Sequence, residues 1–140
     1  MKSFRTNAMI RAAPEKIWSI LTDADSYPSW NPAVAKVEGR IALGEKVTVF
    51  PKSAGGRAFP VKVVSFEPAT SMVWSGGMPL GLFKGVRTFR LTARGDGSVE
   101  FSMHEEFSGL LSPLIEKSIP DLQPDFEAFA QGLKTRSESV

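Results

Sequence analysis

The sequence predicts an α+β domain of two layers, an antiparallel sheet whose apolar face is covered by one long C-terminal helix. Two observations carry this. Residues 34–107 read as short strands parted by turn residues, and residues 115–133 carry a single helical stripe. A third, 140 residues without an internal repeat or linker, makes residues 1–140 one domain.

The elements follow in order. Phe4, Thr6, Ala8, Ile10 and Ala12 alternate with Arg5, Asn7, Met9 and Arg11, a period of two that predicts a strand. Pro14, with Glu15 beside it, suits the first turn of a helix that carries Ile17, Trp18, Ile20 and Leu21. Asp23, Asp25, Pro28 and Pro32 end it early, and Tyr27 and Trp30 fall in a second short helix or turn. Strand-like runs follow at Val47–Phe50, Phe59–Phe66, Met72–Trp74, Phe83–Leu91 and Val99–Phe107. Gly44, Gly55-Gly56, Pro68, Gly76-Gly77 and Gly95-Asp96-Gly97 separate them, so the connections are hairpins rather than crossovers. Last, Ile115, Ile119, Leu122, Phe126, Phe129 and Leu133 fall four, three, four, three and four apart. Pro120 and Pro124 should bend that helix or divide it into two collinear pieces, and the polar tail 135–140 should fray.

Composition excludes several functions. The chain has no cysteine and one histidine, so thiolate chemistry and multi-imidazole zinc sites are ruled out. The formal charge is +2 with basic residues dispersed, which argues against nucleic acid as a partner. No window is long and apolar enough for a membrane span or a signal peptide, so a cytoplasmic location is expected. Phosphate-loop, nucleophile-elbow and dinucleotide fingerprints do not occur. Asp23 and Asp25 suit helix capping better than a metal, and neither a metal nor a cofactor is expected.

Residues 10–32, IRAAPEKIWSILTDADSYPSWNP, resemble the opening of the START-like, or helix-grip, superfamily, in particular its SRPBCC or polyketide cyclase/dehydrase branch. VSFEPATSMVWSGG at 64–77, TFRLTARGDGSVEFSMHEEFSGLL at 88–111 and the closing helix fit the same pattern. The resemblance implies a bent seven-stranded sheet wrapped around the C-terminal helix, with a ligand cavity between them. It also implies that Trp30, in YPSWNP, is mainly structural. Three functions stay open: a carrier or sensor of a lipid-, polyketide- or aromatic-like molecule, a cyclase/dehydrase-like enzyme, and an interaction module of the chaperone-activator type.

The Gly95-Asp96-Gly97 hairpin yields candidate site residues. A three-residue loop with Gly97 in the left-handed position pairs Arg94 with Ser98. Leu91 then meets Phe101, Phe89 meets Met103 and Arg87 meets Glu105, all on the inner face. An inward ion pair would orient a polar head group or carboxylate on an apolar ligand, or simply neutralise itself. The enzyme reading would use Glu105 or Arg87 as the acid–base or oxyanion element, and these two are the catalytic candidates. Ligand contacts are expected from Arg87, Phe89, Met103, Glu105, Leu122, Phe126, Phe129 and Trp74, although the sequence lets Trp74 face either way. His104 and Glu106 fall on the outer face unless a β-bulge inverts the alternation. The apolar loop 75–83 reads equally as a lid, a homodimer contact or an inward-packed segment.

Overall fold

The computed structural model describes residues 2–139. Seven strands form one curled antiparallel sheet: β1 (Lys2–Ile10), β2 (Val34–Gly39), β3 (Lys46–Pro51), β4 (Phe59–Glu67), β5 (Ser71–Gly77), β6 (Lys84–Ala93) and β7 (Val99–Ser108). Their spatial order is β1-β7-β6-β5-β4-β3-β2, so the first strand pairs with the last and the rest follow as a meander. Between β1 and β2 stand α1 (Pro14–Leu21) and α2 (Tyr27–Trp30). After β7 come α3 (Ser112–Ile115) and α4 (Gln123–Glu138). This is the two-layer helix-grip arrangement expected.

The alternation of β1, β6 and β7 places Phe4, Ile10, Phe89, Leu91, Phe101, Met103 and Phe107 in the core. The face of α4 that carries Phe126, Phe129, Ala130 and Leu133 is buried against them. Helix α4 also contacts α1 and α2. At Gly132 a β-carbon would run into the backbone carbonyl of Trp30, so the two helices meet backbone to backbone. No helix among the described residues is long and apolar enough to cross a membrane.

Four expectations need correction. The helix does not run from Ile115. Pro120 disfavours helical backbone at the residue before it, and Ile119 is accordingly extended at φ −77°, ψ 122°. A short 3₁₀ turn, Glu116–Ser118, precedes the break, and α4 starts only at Gln123 with Pro124 in its first turn. Leu122 is therefore the cap of α4 rather than part of its stripe. Second, residues 135–138 are helical, not frayed: Ser137 is fully buried, and Glu138 accepts a hydrogen bond from the Arg11 amide at 2.9 Å. Lys134 reaches the Met9 carbonyl at 2.6 Å, tying the same end to β1. Val140 lies outside the described residues. Third, Asp23 occupies the cap position of the turn Ala24–Ser26 but makes no side-chain cap bond. Fourth, β2 gives no clean alternation, burying only Val34 and Val37, which is why the residue pattern did not resolve it as a strand.

Candidate functional site at the open end of the helix

The β6–β7 hairpin has the register the loop chemistry dictates. The Arg94 amide bonds the Ser98 carbonyl at 2.9 Å, and Gly97 has φ +86°. Leu91 pairs with Phe101, Phe89 with Met103 and Arg87 with Glu105, and no bulge interrupts either side of β7. Among the described residues, register shifts occur between β2 and β3 and between β4 and β5.

Register across the neighbouring strands sets five residues in one row on the inner face: Phe4, Glu105, Arg87, Trp74 and Val63. Trp74 therefore faces inward, and it is 3% exposed. Arg87 donates Nε–H to Glu105 Oε1 at 2.5 Å, while the two side chains keep 23% and 14% of their surface exposed. The ion pair thus stands at the boundary between core and solvent. Phe126 of α4 covers it, the Arg87 guanidinium carbon lying 4.8 Å over the centre of its ring. Phe4 lies 5.8 Å from the same ring.

Behind the pair the space is aromatic. Trp74 contacts Phe89 at 4.7 Å and Tyr27 at 6.4 Å between ring centroids. Phe129 stacks on Phe101 at 5.8 Å and meets Trp30 edge-on at 5.0 Å, so Trp30 packs under the helix as a structural ring. Tyr27 is wholly enclosed and donates its hydroxyl to the Leu21 carbonyl at 2.5 Å. Burial pushes its phenol far above the ordinary range, the Arg87 guanidinium pulls it back, and Asp23 adds to the rise. Its hydroxyl is already engaged with the Leu21 carbonyl.

Leu82, Phe83, Leu111, Ile115, Ile119 and Leu122 are each only half-buried. The β5–β6 loop is fastened to the segment after β7 by Leu111 N–H to the Leu82 carbonyl at 2.7 Å. Its tip points outward: Leu80 is 93% exposed and held in the left-handed region at φ +62°. Leu110 and Leu114, 81% and 70% exposed, belong to the segment it is fastened to. Inward packing of this loop is thereby set aside for Leu80.

His104 pairs with Arg5 and Thr88 on the outer face, 3.5 Å from Glu106, as parity predicted. A shallow hollow there, lined by Arg5, Asn7, His104 and Glu127 among others, does not include the Arg87–Glu105 pair. No group of three or more metal-ligating side chains occurs among the described residues. Parity could not reveal that the Trp74 Nε1–H is buried without a hydrogen-bond partner, because that depends on every strand around it.

A family model described as "Polyketide cyclase / dehydrase and lipid transport" matches residues 1–138. No curated protein matches the sequence. Among solved structures, a hypothetical protein from Helicobacter pylori is 14% identical with a TM-score of 0.80, the match covering 98% of this chain and 88% of that one. The Aha1 dimer of Colwellia psychrerythraea is 18% identical with a TM-score of 0.73, covering 99% and 97%. Truncated norcoclaurine synthase of Thalictrum flavum is 15% identical with a TM-score of 0.72, covering 99% and 94%. At these identities the likeness establishes a shared fold.

Proposed function

This chain belongs to the polyketide cyclase / dehydrase and lipid transport family, and from that premise we propose that it binds an apolar small molecule between sheet and α4, as a carrier or sensor. The observation that carries the reading is the Arg87–Glu105 pair, inward-facing and part-exposed, at the one polar spot of an aromatic-lined row. An ion pair that served only the core would gain by being dry or by being replaced with apolar groups. Kept at the entrance, it offers hydrogen bonds to a ligand whose body lies on Phe126, Trp74 and Phe89. Leu122 and the loop 75–83 form the rim, with Met103 and Phe129 deeper as floor. Arg87 and Glu105 are then binding rather than catalytic residues, since the carboxylate is already held by the guanidinium.

Native mass spectrometry of freshly purified protein should find a co-purified apolar molecule, or a bound apolar fluorophore after delipidation. Protein that carries nothing and fails to brighten such a dye would remove the reading.

One observation favours a second reading, a protein-contact module: Leu80, Leu110 and Leu114 are exposed apolar groups on two joined segments. Light scattering of Leu80→Ser separates the two readings. A fall in mass from dimer to monomer supports contact between copies, and an unchanged mass with altered ligand exchange supports a lid.

A further inference from the structure

A sheet that does not close has two edge strands, and each presents backbone N–H and C=O groups to which another strand can pair. Here they are β1 and β2. The β1 edge is occupied from α4. Gln123 Nε2 donates to the Arg5 carbonyl at 2.9 Å and Lys134 Nζ to the Met9 carbonyl at 2.6 Å, while Glu138 accepts from the Arg11 amide just beyond. The β2 edge has no such cover. The turn Ala24–Ser26 and α2 contact this strand, but among the described residues no hydrogen bond joins either to residues 36–39. Ala35, Lys36, Glu38 and Gly39 are all exposed.

Which backbone groups of β2 are free follows from β3. Thr48 faces Pro60, which has no N–H, and the Lys52 amide bonds the Ala33 carbonyl at 2.9 Å. The even-numbered residues of β3 therefore turn their backbone groups toward β2. Lys36 pairs with Phe50 and Glu38 with Thr48. Val37, between them, aims its N–H and C=O away from β3, while its side chain is buried inward. A bulge before Lys36 and a φ of +106° at Gly39 bound this free stretch.

The stretch is complementary to itself. In an antiparallel pair about a two-fold axis through Val37, Val37 exchanges two bonds with its copy, Ala35 meets Gly39, and Lys36 meets Glu38. The last two stand where no backbone bonds join the pair, so Cα atoms come to about 4.5 Å and side chains are nearest. Lys36 and Glu38 already pair within the strand at 3.1 Å, and the Lys36 ammonium lies 4.6 Å over the Phe50 ring. Across the axis the four charges alternate in sign.

We infer that β2 is a docking edge for a second copy of this chain, which extends the seven-stranded sheet across the axis at Val37. Because α4 occupies the other edge, assembly closes at two. The seam is short and the association weak. The inference is independent of the ligand reading above.

Sedimentation of the full chain from about 10 μM to about 1 mM should show the mass rise from 15.3 kDa toward twice that value. Lys36→Glu sets like charges opposite each other twice and should weaken association at least about tenfold, as should Glu38→Lys. Lys36→Glu/Glu38→Lys restores opposite charges and should recover it. Mixing the two single variants should also restore association, because an acidic edge then meets a basic one. Amide exchange at Val37 should slow as concentration rises. A mass that stays at 15.3 kDa throughout would overturn the inference. So would a dimer that Lys36→Glu leaves intact, or one that Leu80→Ser dissolves while Lys36→Glu does not.

Discussion

The two ends of the α4–sheet interface are built from the same materials to opposite effect. At the C-terminal end, Phe129, Leu133, Phe101 and Tyr27 are all nearly inaccessible, and their rings stack or meet edge-on. Gly132 lets the helix backbone settle against Trp30, and beyond it Lys134 bonds β1 and Glu138 bonds Arg11 just after that strand. At the N-terminal end the helix begins only at Gln123, the preceding segment is extended at Ile119, and the inner face carries an ion pair with part of its surface exposed. One end is finished core. The other carries a part-exposed ion pair next to the point where a proline breaks the helix. The difference teaches that one face can change from close-packed rings to a part-exposed pair of charges within a single sheet row, without any added element.

If that division is real, substitutions at the two ends should separate stability from binding. The largest effect belongs to Phe129→Ala, which empties the centre of the closed end and should lower unfolding free energy by about 3–5 kcal/mol. Urea denaturation reads it directly. A loss below about 1 kcal/mol would mean that the closed end is not close-packed, and the contrast would collapse. Gly132→Ala comes next. Alanine is favoured over glycine in a helix interior, yet its methyl meets a backbone carbonyl that cannot swing aside. A net destabilisation of about 1–3 kcal/mol is expected by the same measurement, and a gain would show that α4 and α2 have room to part.

At the open end the single and double variants should differ. Arg87→Met leaves Glu105 unpaired on a mostly apolar face, with a cost of about 1–3 kcal/mol reduced by its residual exposure. Arg87→Met/Glu105→Leu removes both charges and should return stability to within about 1 kcal/mol of the parent. Apolar-ligand binding should lose its preference for polar-headed probes in both. A double variant as unstable as Phe129→Ala would make the pair a structural keystone, and the site reading would fall with it.

How much of this was legible depends on whether the relevant contact is local. The Arg87–Glu105 pairing followed from a three-residue loop eight positions away, because antiparallel register propagates without error when no bulge intervenes. The inner placement of Phe89 and Met103 and the outer placement of His104 followed from the same parity. Trp74 was illegible because the connection from β5 to β6, residues 78–83, offers no short turn that fixes a register; its facing follows only from the observed pairing with Arg87. The stripe Ile115, Ile119, Leu122 fitted a helix in spacing, yet Pro120 decided the backbone at Ile119 against it. β2 was lost because an edge strand that buries two of six residues carries almost no periodic signal. Hydrophobic spacing thus located the layers, and proline chemistry decided where α4 begins.

The smallest expected effect tests whether the register that aligns the pair depends on anything beyond the turn. Asp96 accepts from both the Ser98 hydroxyl, at 2.5 Å, and the Ser98 amide, at 3.1 Å. These bonds hold its carboxyl below the ordinary range, the hydroxyl bond contributing most. A folded-state value lower than the unfolded one means that the contribution is fully present above the unfolded pKa. It is lost as pH falls through the folded value. Stability of the parent should therefore decline slightly more than that of Asp96→Ala as pH drops through the acidic carboxylate range, with the two alike below it. NMR titration of the Asp96 carboxyl gives the folded value independently. Ligand affinity at neutral pH should not change in this variant, because Gly97 and the Arg94–Ser98 bond still fix the loop. A variant that did lose affinity would show that the carboxylate sets the alignment of Arg87 with Glu105. The open end would then be governed from the far tip of the hairpin rather than by where α4 stops.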